Sequence, residues 1–280
     1  MALLQTLVIL LLSARVVLGV TTDVLPGPGT PLQDAIDAAS PGDRLRLNGD
    51  FFERIVIDKP LRLAAHPSLS FYARILGDCT GTSVTVAADQ VTLNRVFVTQ
   101  GTPYDIDVQG RNRVTLRSVG IEPGCAGAQY GVNVFQSTRV KLMHPSTFAG
   151  SNIYQDAGIY IGGIPTDGQV QVVGGYVQDS VRGILLEDSP NSRIGVRRNT
   201  VVAVTDGIFL NNTQGASVAN NDVELSTHNG IWANAMSTAN RIIGNRVSDS
   251  VNLDVVDDSN NNCWLRNTFQ TGTVNENGCN

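Results

Sequence analysis

The sequence predicts an all-β solenoid built from stacked coils, and three observations carry that prediction. Four short strands open on glycine: Gly158-Ile159-Tyr160-Ile161, Gly183-Ile184-Leu185-Leu186, Gly207-Ile208-Phe209-Leu210 and Gly230-Ile231-Trp232-Ala233, at separations of 25, 24 and 23 residues. Asn199, Asn221 and Asn245 recur at spacings of 22 and 24. No long helical periodicity runs through the chain, while its 28 glycines suit corners that need φ > 0. A repeat of this length made of short β-branched strands buries its apolar face only by stacking on its neighbours.

The 280 residues suffice for one solenoid domain and are too few for two domains with linkers. Met1 to Gly19 is an apolar run ending in small residues, as a secretory signal peptide does. It is shorter than the ~18 apolar residues a membrane span needs, and Arg15 interrupts it. The expected organisation is therefore a signal peptide over 1–19, a linker over 20–30 and the solenoid over 31–280, with no membrane span in the mature chain. Formal charge is −5, and the 20 Lys and Arg are spread thinly along the chain. No basic stripe is visible in the sequence, which argues against a nucleic-acid partner. Four cysteines in a secreted chain suggest two local disulfides, Cys79–Cys125 and Cys263–Cys279. The sequon Asn211-Asn212-Thr213 makes Asn211 a glycosylation candidate.

In chain order, Thr30 is the expected N-cap of a helix over Pro31–Ala39, with Leu32, Ala35, Ile36 and Ala39 on one face and Ser40-Pro41-Gly42-Asp43 as its stop. Such a helix covers the open first coil. Alternating strands follow at Arg44–Leu47, Arg54–Ile57 and Leu61–Leu63, with Asn48-Gly49-Asp50 and Asp58-Lys59-Pro60 as corners. The order helix, Ala-Ser-Pro-Gly-Asp, strand, Gly-x-Phe-x-Glu, Ile-x-Ile, Lys-Pro-Leu-x-Leu (Ala39 to Leu63) resembles the opening of right-handed parallel β-helix proteins of the pectin-lyase-like group, with their carbohydrate-binding and sugar-hydrolase repeats. The resemblance implies a right-handed, single-stranded parallel β-helix with a short N-terminal capping helix. It also implies a carbohydrate-active protein, although that fold hosts lyases, hydrolases, epimerases and non-catalytic adhesins. The polygalacturonase branch is matched only at Thr205-Asp206-Gly207, so no family's catalytic set transfers. The recurring asparagines fit an interior ladder at one turn. The tail from Asn262 to Phe269 repeats that turn, and Gly272 to Asn280 is expected as a cap held by Cys279.

Within each strand copy the second and fourth residues are apolar and face the interior, and the third faces out. Stacking at ~4.8 Å then forms an outer column of Asp107, Asn133, Tyr160, Leu185, Phe209, Trp232 and Asp254. Leu185 and Phe209 are expected to be partly exposed, and this stripe, with Asn234, is the candidate substrate-binding face. Beside it, stacking puts Arg182 next to Asp206 and Asp206 within reach of His228. This set can transfer a proton, with His228 as acid or base, Asp206 as its orienting carboxylate, Arg182 as counter-charge and the Tyr160 phenol as a second proton-bearing group. Glu187-Asp188, Asp254 and Asp257-Asp258 are candidates for Ca²⁺, with no cofactor otherwise expected. His66 and His144 precede prolines in turns and are structural. These features point to a secreted enzyme of the lyase or epimerase type acting on carbohydrate. The alternatives are a cyclase or isomerase holding an apolar small molecule on the stripe, and a non-catalytic extracellular binding protein.

Overall fold

The computed structural model describes residues 19–148, 154–178, 180–202 and 204–274. The expected signal peptide up to residue 18, and Cys279, lie outside them. The chain winds into a parallel β-helix of about ten turns with one short helix. Its strands form three parallel sheets of eleven, nine and nine strands. The glycine-led strands lie in the nine-stranded sheet that runs from Ile55–Ile57 to Leu253–Asp257, the site sheet. The eleven-stranded sheet runs from Thr21–Val24 to Cys263–Leu265.

Alternate residues fill the interior. Ile159, Ile184, Ile208, Ile231 and Val255 stack in register and are fully buried. Leading glycines are required by close approach. A Cβ on Gly207 would lie 2.3 Å from the Gly230 carbonyl oxygen and 2.3 Å from a Val223 methyl, which no side chain tolerates. The asparagine ladder is present and longer than the repeat suggested. Asn199, Asn221 and Asn245 each pass a side-chain bond to the asparagine of the next coil at 2.9 Å, ending on Asn267, and Asn240 and Asn262 form a second, shorter ladder.

Three local expectations change. Thr21–Val24, expected in a linker, is a strand paired with Arg44–Leu47, because Val24 can be buried there and the sheet edge covered. The helix spans Pro31–Ala38, and the Thr30 side chain does not cap it. The carboxylate of Glu53, from the Gly-x-Phe-x-Glu motif of the next coil, accepts the N–H groups of Leu32 and Gln33 at 2.9 Å each, meeting the orphan donors with a full negative charge. The last strand copy is Asp254-Val255-Val256-Asp257, two residues later than expected, so Val256 and not Asp254 continues the outer column. Asp254 is buried and accepts the N–H groups of Gln270 and Thr271 at 2.9 and 3.1 Å, which closes the final coil.

Cys79 and Cys125 form the expected disulfide between the corners that follow Ala73–Leu76 and Gly120–Glu122, two coils apart in their sheet, with Cα atoms 5.6 Å apart. Cys263 is also disulfide-bonded, and its expected partner Cys279 is outside the described residues.

The solenoid also sorts charge, which overturns the expectation that no basic stripe exists. Strands of the eleven-stranded sheet carry Arg44, Arg46, Arg62, Arg117, Lys141, Arg193, Arg197 and Arg241, with Asp23 as their one carboxylate. Site-sheet strands reverse this, with carboxylates at Asp107, Asp156, Glu187, Asp188, Asp206 and Asp257 against the single cation Arg182.

One buried acid lies under the site sheet. Asp105 is fully buried, accepting the Tyr154 hydroxyl at 2.5 Å and the Gly101 N–H at 2.8 Å. Loss of water pushes its carboxyl up to about 8, against the pull of those two bonds. A carboxyl raised on folding favours the folded state fully below its unfolded value and loses that contribution as pH rises through the folded one. Asp105→Asn, which keeps the shape and removes the charge, should therefore match wild type near pH 4 and be increasingly the more stable protein up to about pH 8, by a few kcal/mol. Thermal melts of both proteins across that range check this. Parallel curves would show that Asp105 does not titrate in this window.

Candidate functional site

Register on the site sheet places Asp107, Asn133, Tyr160, Leu185, Phe209, Trp232 and Val256 in one column, and Ala157, Arg182 and Asp206 in the column beside it. The rings stack along the coil axis. Tyr130 lies 4.4 Å from Tyr160 and Phe209 4.3 Å from Trp232, with Leu185 between the two pairs. Tyr104 extends the first stack at 5.5 Å from Tyr130. Tyr104 and Tyr130 were missed from the sequence; their signal was a tyrosine at the same place in the two loosest strand copies.

This packing overturns the exposure expected for the stripe. Tyr160, Leu185 and Phe209 are 8%, 2% and 7% exposed. Side chains in a parallel column are flanked at ~4.8 Å on both sides, and the Arg182 guanidinium covers Phe209, 5.4 Å from the ring centre. Leu185 and Phe209 thus form a packed outer ridge and not an open substrate-binding surface. Phe209→Ala should then destabilise the fold by about 3 kcal/mol, comparable with the 2–5 kcal/mol expected for the interior Ile208→Ala. Denaturant unfolding of both variants checks this; a Phe209→Ala protein as stable as wild type would restore the open stripe.

Polar groups on the ridge are tied to one another. Asp156 accepts the Tyr130 hydroxyl at 3.0 Å and pairs with Arg182. Arg182 therefore does not pair with Asp206, although the two are register neighbours. Its side chain turns back one coil to Asp156. Glu187 accepts the Tyr160 hydroxyl at 3.2 Å and the Asn211 amide at 2.6 Å. Burial, and next the Glu187 charge, hold the Tyr160 phenol well above its ordinary value. The Asn211 amide nitrogen donates to Glu187, and its oxygen accepts Asn234 at 2.5 Å. Asp107 accepts the Asn133 amide at 2.6 Å, and burial raises its carboxyl despite that bond. Beside Asn133, a groove of about 250 Å³ opens between Tyr104, Gln129, Tyr130, Phe135 and Tyr160.

The calcium candidates do not converge. Asp188 holds Asn212, Asp257 holds Trp264 and Asn262, and Asp258 holds the Trp232 indole N–H at 2.8 Å. Among the described residues no three His, Cys, Asp or Glu side chains could share a metal ion.

His228 is placed differently from these closed pairs. Its Nδ1 lies 2.7 Å from Asp206 Oδ1, an oxygen that also accepts the Asn229 N–H at 3.2 Å. Facing the carboxylate, Nδ1 is the donor of this pair; the Asn229 amide nitrogen also lies 3.2 Å from Nδ1, and Nε2 takes part in neither contact. The imidazole is 45% exposed while the Asp206 side chain is 9% exposed. The ring meets Trp232 edge-on at 5.9 Å. The arrangement is an oriented imidazole standing at the rim of an indole.

Comparison with solved structures finds the same fold in several β-helix proteins. Pectate lyase Pel9A aligns with a TM-score of 0.69 at 12% identity, over 91% of this chain and 77% of its own. The A-module of the Azotobacter vinelandii mannuronan C-5 epimerase AlgE4 aligns at 0.54 and 13% identity, over 88% and 94%. The periplasmic alginate epimerase AlgG aligns at 0.53 and 12%, over 83% and 62%. At these identities the likeness establishes the fold alone. No curated protein sequence matches the chain. The family model described as periplasmic copper-binding protein (NosD) matches residues 85–278, most of the solenoid, and the chain belongs to that family.

Proposed function

We propose that this chain is a periplasmic or secreted carbohydrate-active protein that moves a proton on a saccharide bound at the Trp232 end of the site sheet. One observation carries this reading: the His228–Asp206 pair, fixed on its buried side and open at Nε2 beside an aromatic ring. Indole faces suit sugar rings, and an oriented imidazole suits removal or return of a proton, the step shared by elimination and epimerisation at a carbon next to a carboxylate. The periplasmic description of the family and the Cys79–Cys125 bridge support an oxidising compartment. No described helix is long and apolar enough to cross a membrane. The packed ridge leaves the apolar-ligand alternative only the groove of about 250 Å³ beside Asn133.

Copper takes imidazole, thiolate and thioether ligands. Here the three histidines stand at different corners, His66 bonded to Ser68, His228 to Asp206 and His144 beside Gly174, and among the described residues no three His, Cys, Asp or Glu side chains come together. The described cysteines are oxidised. The described residues do not fit a copper centre.

Carboxylates on the site sheet outnumber its single cation, so a neutral or short acidic saccharide suits it better than a long polyanion. The test is incubation with neutral and uronate oligosaccharides in D₂O. Exchange of a carbon-bound proton, or appearance of an unsaturated product, supports the proposal. Binding with neither change would make the protein a saccharide-binding β-helix, a reading favoured by the mutual pairing of the ridge's polar groups.

A further inference from the structure

We propose that the eleven-stranded sheet is a second binding surface, for a linear acidic polysaccharide lying along the solenoid axis. It is independent of the site sheet and of any catalysis there. Eleven strands at ~4.8 Å extend about 48 Å. Arg44, Arg62, Arg117, Lys141, Arg193, Arg197 and Arg241 project outward and exposed along it, and among the described residues none forms an ion pair. Cations left unpaired on a chain of net charge −5 are not there to balance local carboxylates; the sheet's one carboxylate, Asp23, already holds Arg46.

Side-chain chemistry selects the partner. All but one of these cations are arginine, whose planar fork grips carboxylates bidentately. Thr92, Asn94, Thr115 and Gln171 stand in register between them and supply partners for hydroxyl groups. Two shallow depressions lie on this face, about 260 Å³ beside Arg44, Arg62 and Arg117 and about 360 Å³ beside Arg197 and Arg198. No aromatic side chain projects from these strands, Trp264 being buried, so a stacking platform for single-stranded nucleic acid is absent among them. No large exposed apolar side chain lies on these strands to enter a bilayer. What remains is a flat, guanidinium-rich and hydroxyl-compatible face that repels nothing anionic, opposite in sign to the site sheet.

The experiment uses the full chain with polygalacturonate as probe and titrates salt, with dextran, phosphatidylserine vesicles and duplex DNA in parallel. Wild type should bind polygalacturonate at low salt and not dextran, with affinity falling steeply as salt rises. The triple variant Arg62→Gln, Arg117→Gln, Lys141→Gln should bind at least about tenfold more weakly, three lost contacts of up to about 1 kcal/mol each, with an unchanged melting curve. If that variant folds poorly, Arg62→Gln and Arg197→Gln singly should each weaken binding and flatten the salt slope. His228→Ala should bind the polymer like wild type, which separates this surface from the site-sheet proposal. Absence of polygalacturonate binding, an unweakened triple variant, or tighter binding to vesicles or DNA than to the polyuronate would each overturn the assignment.

Discussion

Replacing His228 by alanine is expected to lower turnover of a responsive saccharide by about 10²–10⁴-fold, the usual worth of a positioned acid–base group. The half-exposed imidazole holds no other element in place, so melting should barely change. Asp206→Asn should cost less. Its oxygen can still accept the Asn229 N–H at 3.2 Å, while the imidazole loses the charge that fixes its tautomer. The decisive comparison is kcat against KM: His228→Ala should act on kcat, and Trp232→Ala on KM. A His228→Ala protein within threefold of wild type would remove the imidazole from the chemistry and leave the site sheet with a binding role only.

The largest structural effect is expected in the asparagine ladder. Asn221 accepts from both the backbone and side-chain N–H of Asn199, at 3.0 and 2.9 Å, and donates to Val196 O and Asn245 Oδ1 at 3.0 and 2.9 Å. Asn221→Ala leaves several buried partners without a bond, each costing about 1–3 kcal/mol, so a loss of roughly 3–6 kcal/mol is expected in urea unfolding. Asn221→Asp keeps the shape but aims a carboxylate oxygen at two acceptors. It should be at least as damaging at neutral pH and partly recover on acidification. If both variants unfold like wild type, the ladder is ornamental and strand packing alone holds the coils.

Much of the fold could be read in the residues because backbone geometry leaves little choice at a few of them. Glycine leads each copy where the next coil's carbonyl stands in the place of a side chain, and Asn221 recurs where a tight corner must satisfy buried amides. The last copy was misplaced for the same reason. With no full coil above it, Asp254 can occupy the glycine position and turn its carboxylate to the cap. The site was legible only as a neighbourhood. Period-two alternation says which side chains leave the coil, but not that stacked rings cover one another, so Phe209 was expected to be partly exposed. The Arg182 partner was misread because a long side chain can reach either adjacent coil, and Asp156 and Asp206 are one coil away on opposite sides. The basic face could not be seen at all. Its cations occupy three different outward positions on six strands spread from Arg44 to Arg241, and only the winding brings them together.

The Cys79–Cys125 bridge has a mechanical consequence. Coils that touch only their neighbours come apart from the ends under tension, one repeat at a time. The bridge closes a loop 46 residues long in sequence. At about 3.3–3.6 Å per extended residue, some 150–165 Å of contour length is withheld from a stretched chain until the bond is reduced. A molecule pulled from both ends would therefore show its oxidation state as a missing length, with the segment between Cys79 and Cys125 shielded from a load that unwinds the coils on either side of it.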